Sequence, residues 1–200
     1  MKDAVKRIRS SEKSSILFDI AKSIIPKPLS DAPNVVPLSL CPKEVTVRSK
    51  SDWDGMIASQ VEVIVVEDNC CNESEFETLD LSGFVSLKKL TVGNGCFKCV
   101  KDVKVIGLKW LESVVIGEKC FVVQLSKPSD GEDDKCHFYL KRCPRIRELR
   151  IGKLSFADFS LCEIENVDAL EVIEMGELDG LSANFYWSSL ELKSILTHRE

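Results

Sequence analysis

The chain has 200 residues, of which 44% are hydrophobic and 30% are charged, and its formal net charge is −5. This balance is ordinary for a globular protein, and the negative charge argues against nucleic-acid binding, which needs a basic face. No apolar run approaches the roughly 18 residues that predict a membrane-spanning helix. We therefore expect a chain that binds no nucleic acid and has no membrane span.

Residues 1–25 predict a short N-terminal helix, because apolar residues recur at helical spacing. These residues are Ile16, Leu17, Ile20, Ile24 and Ile25. Five prolines between 26 and 42 then predict an extended linker. The sequence leaves open whether this helix docks on the rest of the chain or binds something else.

Residues 43–60 predict a strand followed by a helical turn. EVTV alternates as a strand does, and in SDWDGMIAS either Ser51 or Asp52 can cap a short helix. That helix would place Trp53 and Met56 on one face. Because a repeating pattern begins at residue 61, we interpret 43–60 as the atypical N-terminal cap that a repeat array needs.

The stretch 79–97, LDLSGFVSLKKLTVGNGCF, recurs along the chain. Further copies occupy 103–121, 138–156, 162–176 and, more faintly, 61–71. The four clear copies start 24, 35 and 24 residues apart, so the middle interval is one repeat plus an insertion of 11. Such fixed-period self-similarity indicates a solenoid, with repeats over 61–180 and a linker boundary near 43.

The insertion, VQLSKPSDGEDDKC over 123–136, predicts a polar loop. Its DGEDD carries four carboxylates in five positions but lacks the alternating acidic pattern of a calcium loop. We therefore favour a solvated loop over a metal site.

Each full repeat predicts two strands. In the LxxLxIG half of the first one, Leu87, Leu90 and Val92 should face inward, and Lys88, Lys89 and Thr91 outward. The LxLxG half should form the opposite wall as a second strand, since 24 residues leave no room for a long helix. We expect a mainly β fold in which Phe97, Phe121 and Phe156, at equivalent repeat ends, stack inside.

The half-motifs LKKLTVGNGCF, LESVVIGEKCF and IRELRIGKLSF resemble the conserved half of leucine-rich repeats, LxxLxLxxNxL. Their IGxxCF and IGxxSF endings are similar to a variant found in protist leucine-rich-repeat proteins. The resemblance covers about residues 61–195. It implies a right-handed solenoid of parallel strands whose concave sheet binds a protein partner.

One departure from that family is the missing Asn, whose side chain ties down the backbone between neighbouring repeats. The sequence offers a glycine two residues before that place in each repeat, at Gly93, Gly117, Gly152 and Gly176. Glycine adopts φ > 0 without steric cost. We therefore expect these glycines to form the turn with positive φ.

The resemblance also assigns the outward strand positions to the concave face. We take them as candidate protein-binding residues. They form two columns, Val63, Lys89, Ser113, Glu148, Val172 and Val65, Thr91, Val115, Arg150, Glu174. Exposed valines beside small polar residues suit a contact surface, although β-branched residues also simply suit strands.

A third column predicts a ladder of alternating charge. It reads Glu62, Lys88, Glu112, Arg147, Glu171. If the repeats stack in register, each charge lies beside an opposite one. This column would then fix the stacking and neutralise itself.

Six of the nine cysteines occupy core positions of the repeat. Cys70, Cys96 and Cys120 share one position, and Cys71 replaces the terminal Phe. Cys143 aligns with Phe84 and Leu108, and Cys162 aligns with Leu79 and Val103. Buried free cysteine behaves as a small hydrophobe. We therefore expect reduced thiols and a cytoplasmic protein, with Cys41, Cys99 and Cys136 the most reactive.

No pattern predicts catalysis, a cofactor or a metal. Cys96 and Cys99 form a lone CxxC without the second pair or matching histidines that zinc requires. Cys136 and His137 are adjacent, but no third group is implied that would orient them as nucleophile and base. We expect a non-enzymatic protein.

Residues 181–200 are predicted to end the repeat array with a final strand over 190–196. Phe185, Tyr186 and Trp187 suit either a C-terminal cap or an interaction patch. Two functions remain for the chain as a whole. It is either a module that binds a protein on its concave sheet or a structural unit that stacks through its solenoid ends, and the partner's identity stays open.

Overall fold

The computed structural model describes residues 43–123, 136–177, 182–186 and 188–194. They belong to one compact unit, Ser39–Glu200. The predicted helix over 1–25, the linker up to 42 and nearly all of the insertion lie outside the described residues.

The described residues form eleven short strands and one short helix. In chain order these elements are β1 (Glu44–Val47), α1 (Lys50–Asp54), β2 (Val63–Val66), β3 (Thr78–Asp80), β4 (Lys89–Val92), β5 (Asp102–Ile106), β6 (Ser113–Ile116), β7 (His137–Lys141), β8 (Glu148–Ile151), β9 (Leu161–Glu165), β10 (Val172–Met175) and β11 (Ser189–Lys193). The expectation of a mainly β fold is confirmed.

The strands form two sheets. Sheet A has six strands in the order β1-β2-β4-β6-β8-β10, and sheet B has five in the order β11-β9-β7-β5-β3. Every pairing in both sheets is parallel. From β2 onward the chain alternates between the sheets, so the second wall of each repeat is a strand, as predicted.

The strand register reproduces the sequence repeat. In sheet B, Leu79 pairs with Val103, Val103 with Phe138, and Phe138 with Cys162. These are the residues that begin the four copies. The interval of 35 residues therefore contains one repeat plus the insertion between β6 and β7.

One apolar core runs through all the repeats. From β2 to β8, strand residues alternate between buried and exposed or half-buried positions, as the pattern of β4 shows with Leu90 and Val92 inside and Lys89 and Thr91 outside. Leu87 is also fully buried. The predicted inward and outward faces are confirmed.

A column of phenylalanine rings lies inside this core. Phe97, Phe121, Phe156 and Phe185 stack in succession, with centroid distances of 5.1, 4.5 and 4.9 Å and interplanar angles of 12°, 7° and 5°. The predicted stack is confirmed, and Phe185 extends it. The four residues have φ values of 57°, 54°, 59° and 50°, a left-handed conformation that costs about 1–2 kcal/mol each.

Helix α1 covers the first ring of this column. Its N-cap is Ser49, whose hydroxyl accepts a hydrogen bond from the Asp52 amide at 3.2 Å, so the prediction of Ser51 or Asp52 was wrong. The helix places Trp53 against Phe97 in an edge-on contact with a centroid distance of 6.0 Å. This contact holds the short helix against the phenylalanine column.

The expectation of positive φ at the four repeat glycines was wrong for three of them. Only Gly176 has a positive φ, of 69°. Gly117 and Gly152 are required by close backbone stacking instead. A Cβ at Gly117 would lie 2.8 Å from the carbonyl carbon and oxygen of Gly93, and one at Gly152 would lie 2.5 Å from the carbonyl carbon of Gly117.

The residue just before each phenylalanine links neighbouring repeats. In four successive repeats this side chain donates a hydrogen bond to the main-chain carbonyl of the preceding repeat. The bonds are Cys96 Sγ to Glu67 O at 3.0 Å, Cys120 Sγ to Gly93 O at 3.0 Å, Ser155 Oγ to Gly117 O at 2.7 Å and Asn184 Nδ2 to Gly152 O at 2.7 Å. These bonds satisfy carbonyls at the point where the chain leaves sheet A.

The eight described cysteines are all free thiols. Burial raises the pKa of Cys71 and of Cys162 to about 12, which keeps them protonated. Contact with the Cys120 side chain lowers the pKa of Cys96. Cys136 is fully buried, so the expectation that it would be among the most reactive was wrong. Cys99 is half-buried, and Cys41 lies outside the described residues.

We predict that Phe121→Ala lowers the free energy of unfolding by roughly 3–5 kcal/mol, because the change removes a ring packed between two others. Val85→Ala is the control, since Val85 is 57% exposed. Denaturant unfolding measures both. A loss below about 1 kcal/mol for Phe121→Ala, the scale of surface changes, would contradict the stacked core.

We also predict that Gly117→Ala destabilises the fold by about 1–3 kcal/mol, because the new methyl group meets backbone atoms that move only if the strands separate. Gly83→Ala is the matched control, since the nearest atom to its Cβ is the Ala58 Cβ at 3.8 Å. The same unfolding measurement compares them. Equal losses for the two variants would show that close stacking is not the reason for glycine at 117.

Candidate functional site

The ten candidate residues lie together on the outer surface of sheet A, which we call the sheet A face. Five strands contribute two residues each, in the order β2, β4, β6, β8, β10. The register pairs one column as Val63, Lys89, Ser113, Glu148, Val172 and the other as Val65, Thr91, Val115, Arg150, Glu174. The sequence therefore predicted both columns in their correct order.

Strand β1 adds two residues that sequence reasoning did not include. Glu44 pairs with Val63 and Thr46 pairs with Val65, so both columns continue for a sixth strand. The alternation in EVTV was the available signal, because it places Glu44 and Thr46 on the same side as the two valines.

The N-terminal half of the sheet A face combines apolar and polar groups. Val63, Val65 and Val115 are half-buried, whereas Lys89 and Thr91 between them are exposed. The Lys89 ammonium group forms no ion pair with any residue that the structure describes. This half therefore offers a partner both apolar contact and a positive charge.

The C-terminal half of the face is linked internally. Arg150 donates hydrogen bonds to Glu148 and to Glu174, and the Ser113 hydroxyl donates to Glu148 at 2.9 Å. The bond from Arg150 lowers the pKa of Glu148, with a smaller contribution from Ser113. These charges are already paired with one another.

The charge ladder beside the face is in register along the main chain. The amide of Lys88 donates to the Glu62 carbonyl at 2.7 Å, and the amide of Glu112 donates to the Lys88 carbonyl at 2.8 Å. Among the described ion pairs, side chains of the ladder meet only at the first step, where Lys88 Nζ lies 2.7 Å from Glu62 Oε2. Glu62 also pairs with Lys43 at 3.0 Å.

The later ladder residues Glu112, Arg147 and Glu171 are exposed and form no ion pair within the described ranges. The expectation that the whole column neutralises itself is therefore wrong beyond Lys88. Solvent explains the difference, because an exposed pair gains little from being held in one geometry. Glu62 is more shielded, and the hydrogen bond from Lys88, followed by that from Lys43, lowers its pKa.

The lone CxxC does not form a two-sulfur site. Cys96 is buried and donates to the Glu67 carbonyl, whereas the Cys99 thiol donates to the Asn72 carbonyl at 3.3 Å. Among the described residues, no group of three or more His, Cys, Asp or Glu side chains could hold a metal ion.

Sequence reasoning missed a polar network on the outer surface of sheet B. His137 Nδ1 lies 3.2 Å from Asp102 Oδ1, and its ring lies 5.8 Å from that of Tyr139. Lys141 Nζ lies 4.9 Å from the centre of the Tyr139 ring. Aligning Asp102 with His137 in the repeat, at an interval of 35 residues, would have revealed the first contact.

Glu163 anchors that network. It is only 9% exposed and lies between two lysines, with Lys141 Nζ at 2.6 Å and Lys193 Nζ at 3.0 Å. The hydrogen bonds from Lys141 and then Lys193 lower the pKa of Glu163. The outer surface of sheet B is thus occupied by its own ion pairs.

In the aromatic stretch near the C-terminus, predicted to be either a cap or an interaction patch, Phe185 and Tyr186 have different surroundings. Phe185 packs against the core and ends the phenylalanine column. Tyr186 is 67% exposed, and the side chain of Trp187 lies outside the described residues. The cap is therefore supplied by Phe185, and Tyr186 points away from it.

Comparison with known proteins finds no matching family model, no matching curated protein and no matching solved structure. Within the described part of the chain, no helix has the length and apolar character needed to cross a membrane.

We predict that Lys88→Gln lowers the denaturation midpoint and that Arg147→Gln, its matched control, leaves the midpoint nearly unchanged. Lys88 is ion-paired with Glu62, whereas Arg147 is not paired within the described residues. Urea unfolding at low salt measures both, and high salt should reduce the Lys88→Gln effect.

The same comparison has a defined pH dependence. Folding lowers the pKa of Glu62. The ionised Glu62 therefore stabilises the fold at pH values above its unfolded-state pKa, and this stabilisation is lost as the pH falls through its folded-state pKa. The Lys88→Gln deficit should therefore be present at neutral pH and vanish well below 4.5, the usual glutamate value. A deficit that persists unchanged in acid would show that Lys88 acts through packing instead.

Proposed function

We propose that the chain is a leucine-rich-repeat-like solenoid that binds a protein partner on the sheet A face, without catalysis. The solenoid is supported by the regular alternation between two parallel sheets and by a register that equals the sequence repeat. In such an array each repeat contacts its neighbours and presents one residue per column to a ligand.

The observation that carries the binding proposal is the continuous outer surface of six strands in one register. Its five steps of about 4.8 Å extend roughly 24 Å across the strands. This length matches a helix of about 16 residues at 1.5 Å per residue. The face therefore suits one helix or extended segment of a partner better than a whole domain.

The N-terminal half of the sheet A face is the better anchor for a partner. Val63, Val65 and Val115 are available for apolar contact, and Lys89 is available to pair with a carboxylate. In the other half Arg150 already satisfies Glu148 and Glu174. A partner segment that carries apolar residues and an acidic group would fit this arrangement.

A second function is favoured by the C-terminal end of the two sheets. Ile173, Leu190 and Leu192 are 46%, 56% and 63% exposed. The register pairs them with Leu149, Cys162 and Ile164, which are buried. The last repeat therefore exposes positions that the earlier repeats bury, which suits a structural unit that stacks through this end.

A cytoplasmic location is part of the same proposal. Eight free cysteines in the described residues, most of them in the core, suit a reducing compartment. Intact disulfides in protein from its natural source would contradict it.

Site-specific photo-crosslinking in the full-length chain tests the binding proposal. A photoreactive residue placed at Thr91 or at Val115 should crosslink a cellular protein, whereas one placed at Lys104, on the outer surface of sheet B, should not. Lys89→Glu should reduce the yield of the Thr91 crosslink, because it reverses the available charge. Equal crosslinking from all three positions, or from Lys104 alone, would contradict the proposal.

The stacking alternative is tested by the mass of the full-length protein in solution. If the exposed end joins two copies, the protein sediments as a dimer or larger species, and Leu190→Asp with Leu192→Asp returns it to a monomer. A wild-type monomer at high concentration would exclude self-stacking through this end.

A further inference from the structure

A cavity of about 700 Å³ opens beside the phenylalanine column, on the side where the chain passes from sheet A to sheet B. Its described lining residues are Ser74, Glu77, Lys98, Cys99, Lys101, Lys119, Val122, Val123, Leu154 and Ala157. The volume lies in the range of about 300–1,000 Å³ that is typical of small-molecule sites. None of these residues belongs to the sheet A face.

The repeat explains why a cavity forms at this place. Lys98, Val122 and Ala157 each follow a phenylalanine of the column, so they are equivalent positions in successive repeats. Along the three repeats, the side chain at this position changes from the long Lys98 to the medium-sized Val122 and the small Ala157. Val122 and Ala157 therefore fill less space beside the column than Lys98 does.

The floor of the cavity is apolar. Val123 is 7% exposed, and Val122, Leu154 and Ala157 are half-buried. The half-buried thiol of Cys99 completes this surface. Because these groups form a strip along neighbouring repeats, a narrow, flexible apolar chain would cover more of it than a compact ring would.

Lysine side chains lie at the rim of the cavity. They are Lys98 and Lys119, and the described lining also contains Lys101 and Glu77. Lys98 and Lys119 are exposed, so their ammonium groups can approach a ligand that enters from solvent. Lysine recognises an anion as a flexible point charge and does not require one fixed geometry.

We infer that this cavity binds an amphipathic anion, namely a carboxylate with an unbranched apolar tail of the fatty-acid class. The tail would lie on Val122, Val123 and Leu154, and the carboxylate would pair with Lys98 and Lys119. None of the described lining residues is aromatic, so this part of the lining offers no stacking surface for a nucleotide base. This site is separate from the sheet A face and does not depend on the function proposed for it.

Calorimetric titration of the full-length protein with decanoate, below its micelle concentration, tests this inference. We expect saturable binding of decanoate, weaker binding of the uncharged decanol and no binding of acetate. Lys98→Glu combined with Lys119→Glu should weaken decanoate binding by roughly tenfold or more, and should leave decanol unaffected. Lys104→Glu combined with Lys109→Glu changes the net charge equally away from the cavity and is the matched control.

Thiol protection gives a second measurement that reports the location of the ligand. Saturating decanoate should slow alkylation of Cys99 by iodoacetamide, as followed at each cysteine by mass spectrometry. Cys70 is also half-buried but does not line the cavity, so its alkylation rate should not change.

Four results would overturn the inference. They are the absence of decanoate binding, equal affinity for decanol and decanoate, equal weakening by the control pair of substitutions, and decanoate binding without protection of Cys99. Tight binding of decyl sulfate without binding of decanoate would overturn the assignment of a carboxylate head group.

Discussion

Parallel pairing in one register is the constraint on which the rest of this structure depends. It places each residue of a repeat beside its equivalent in the next, as Leu79, Val103, Phe138 and Cys162 show. Every column must therefore consist of side chains that can lie directly beside one another. Aromatic rings satisfy this requirement by stacking, and thiols and hydroxyls satisfy it by bonding to the preceding backbone.

The same constraint explains the unusual backbone of the phenylalanine column. A left-handed conformation is unfavourable for Phe121, and it persists because the ring is held between Phe97 and Phe156 in a fully buried stack. Burial of a phenylalanine side chain contributes about 1.5–3 kcal/mol, which offsets the conformational cost of about 1–2 kcal/mol. The close approach of Gly117 to Gly93 follows from this tight stacking of repeats.

The outer surfaces of the fold differ in the charged and apolar groups that they leave available for contact. On the outer surface of sheet B, Glu163 is paired with Lys141 and Lys193, so the charges around it are already satisfied. The sheet A face keeps half-buried valines and the exposed Lys89 available along six strands. The cavity near Val123 lies between the sheets on the connecting side, where an apolar floor meets lysines. Because the two regions are separate, the partner proposed for the sheet A face and the ligand proposed for the cavity would not compete.

The sequence by itself determined the alternation of two strands per repeat, the inward positions such as Leu90, the phenylalanine stack and the order of the face residues. These features follow from local periodicity, which states which residues share a column. Only the tertiary structure decided how near the columns approach one another. The short distance between neighbouring backbones makes glycine necessary at Gly117, and the strand pairing places Asp102 beside His137. The fold also buries Cys136 and leaves Arg147 in solvent without a partner among the described residues. Packing across repeats sets those distances, and no single repeat contains that information.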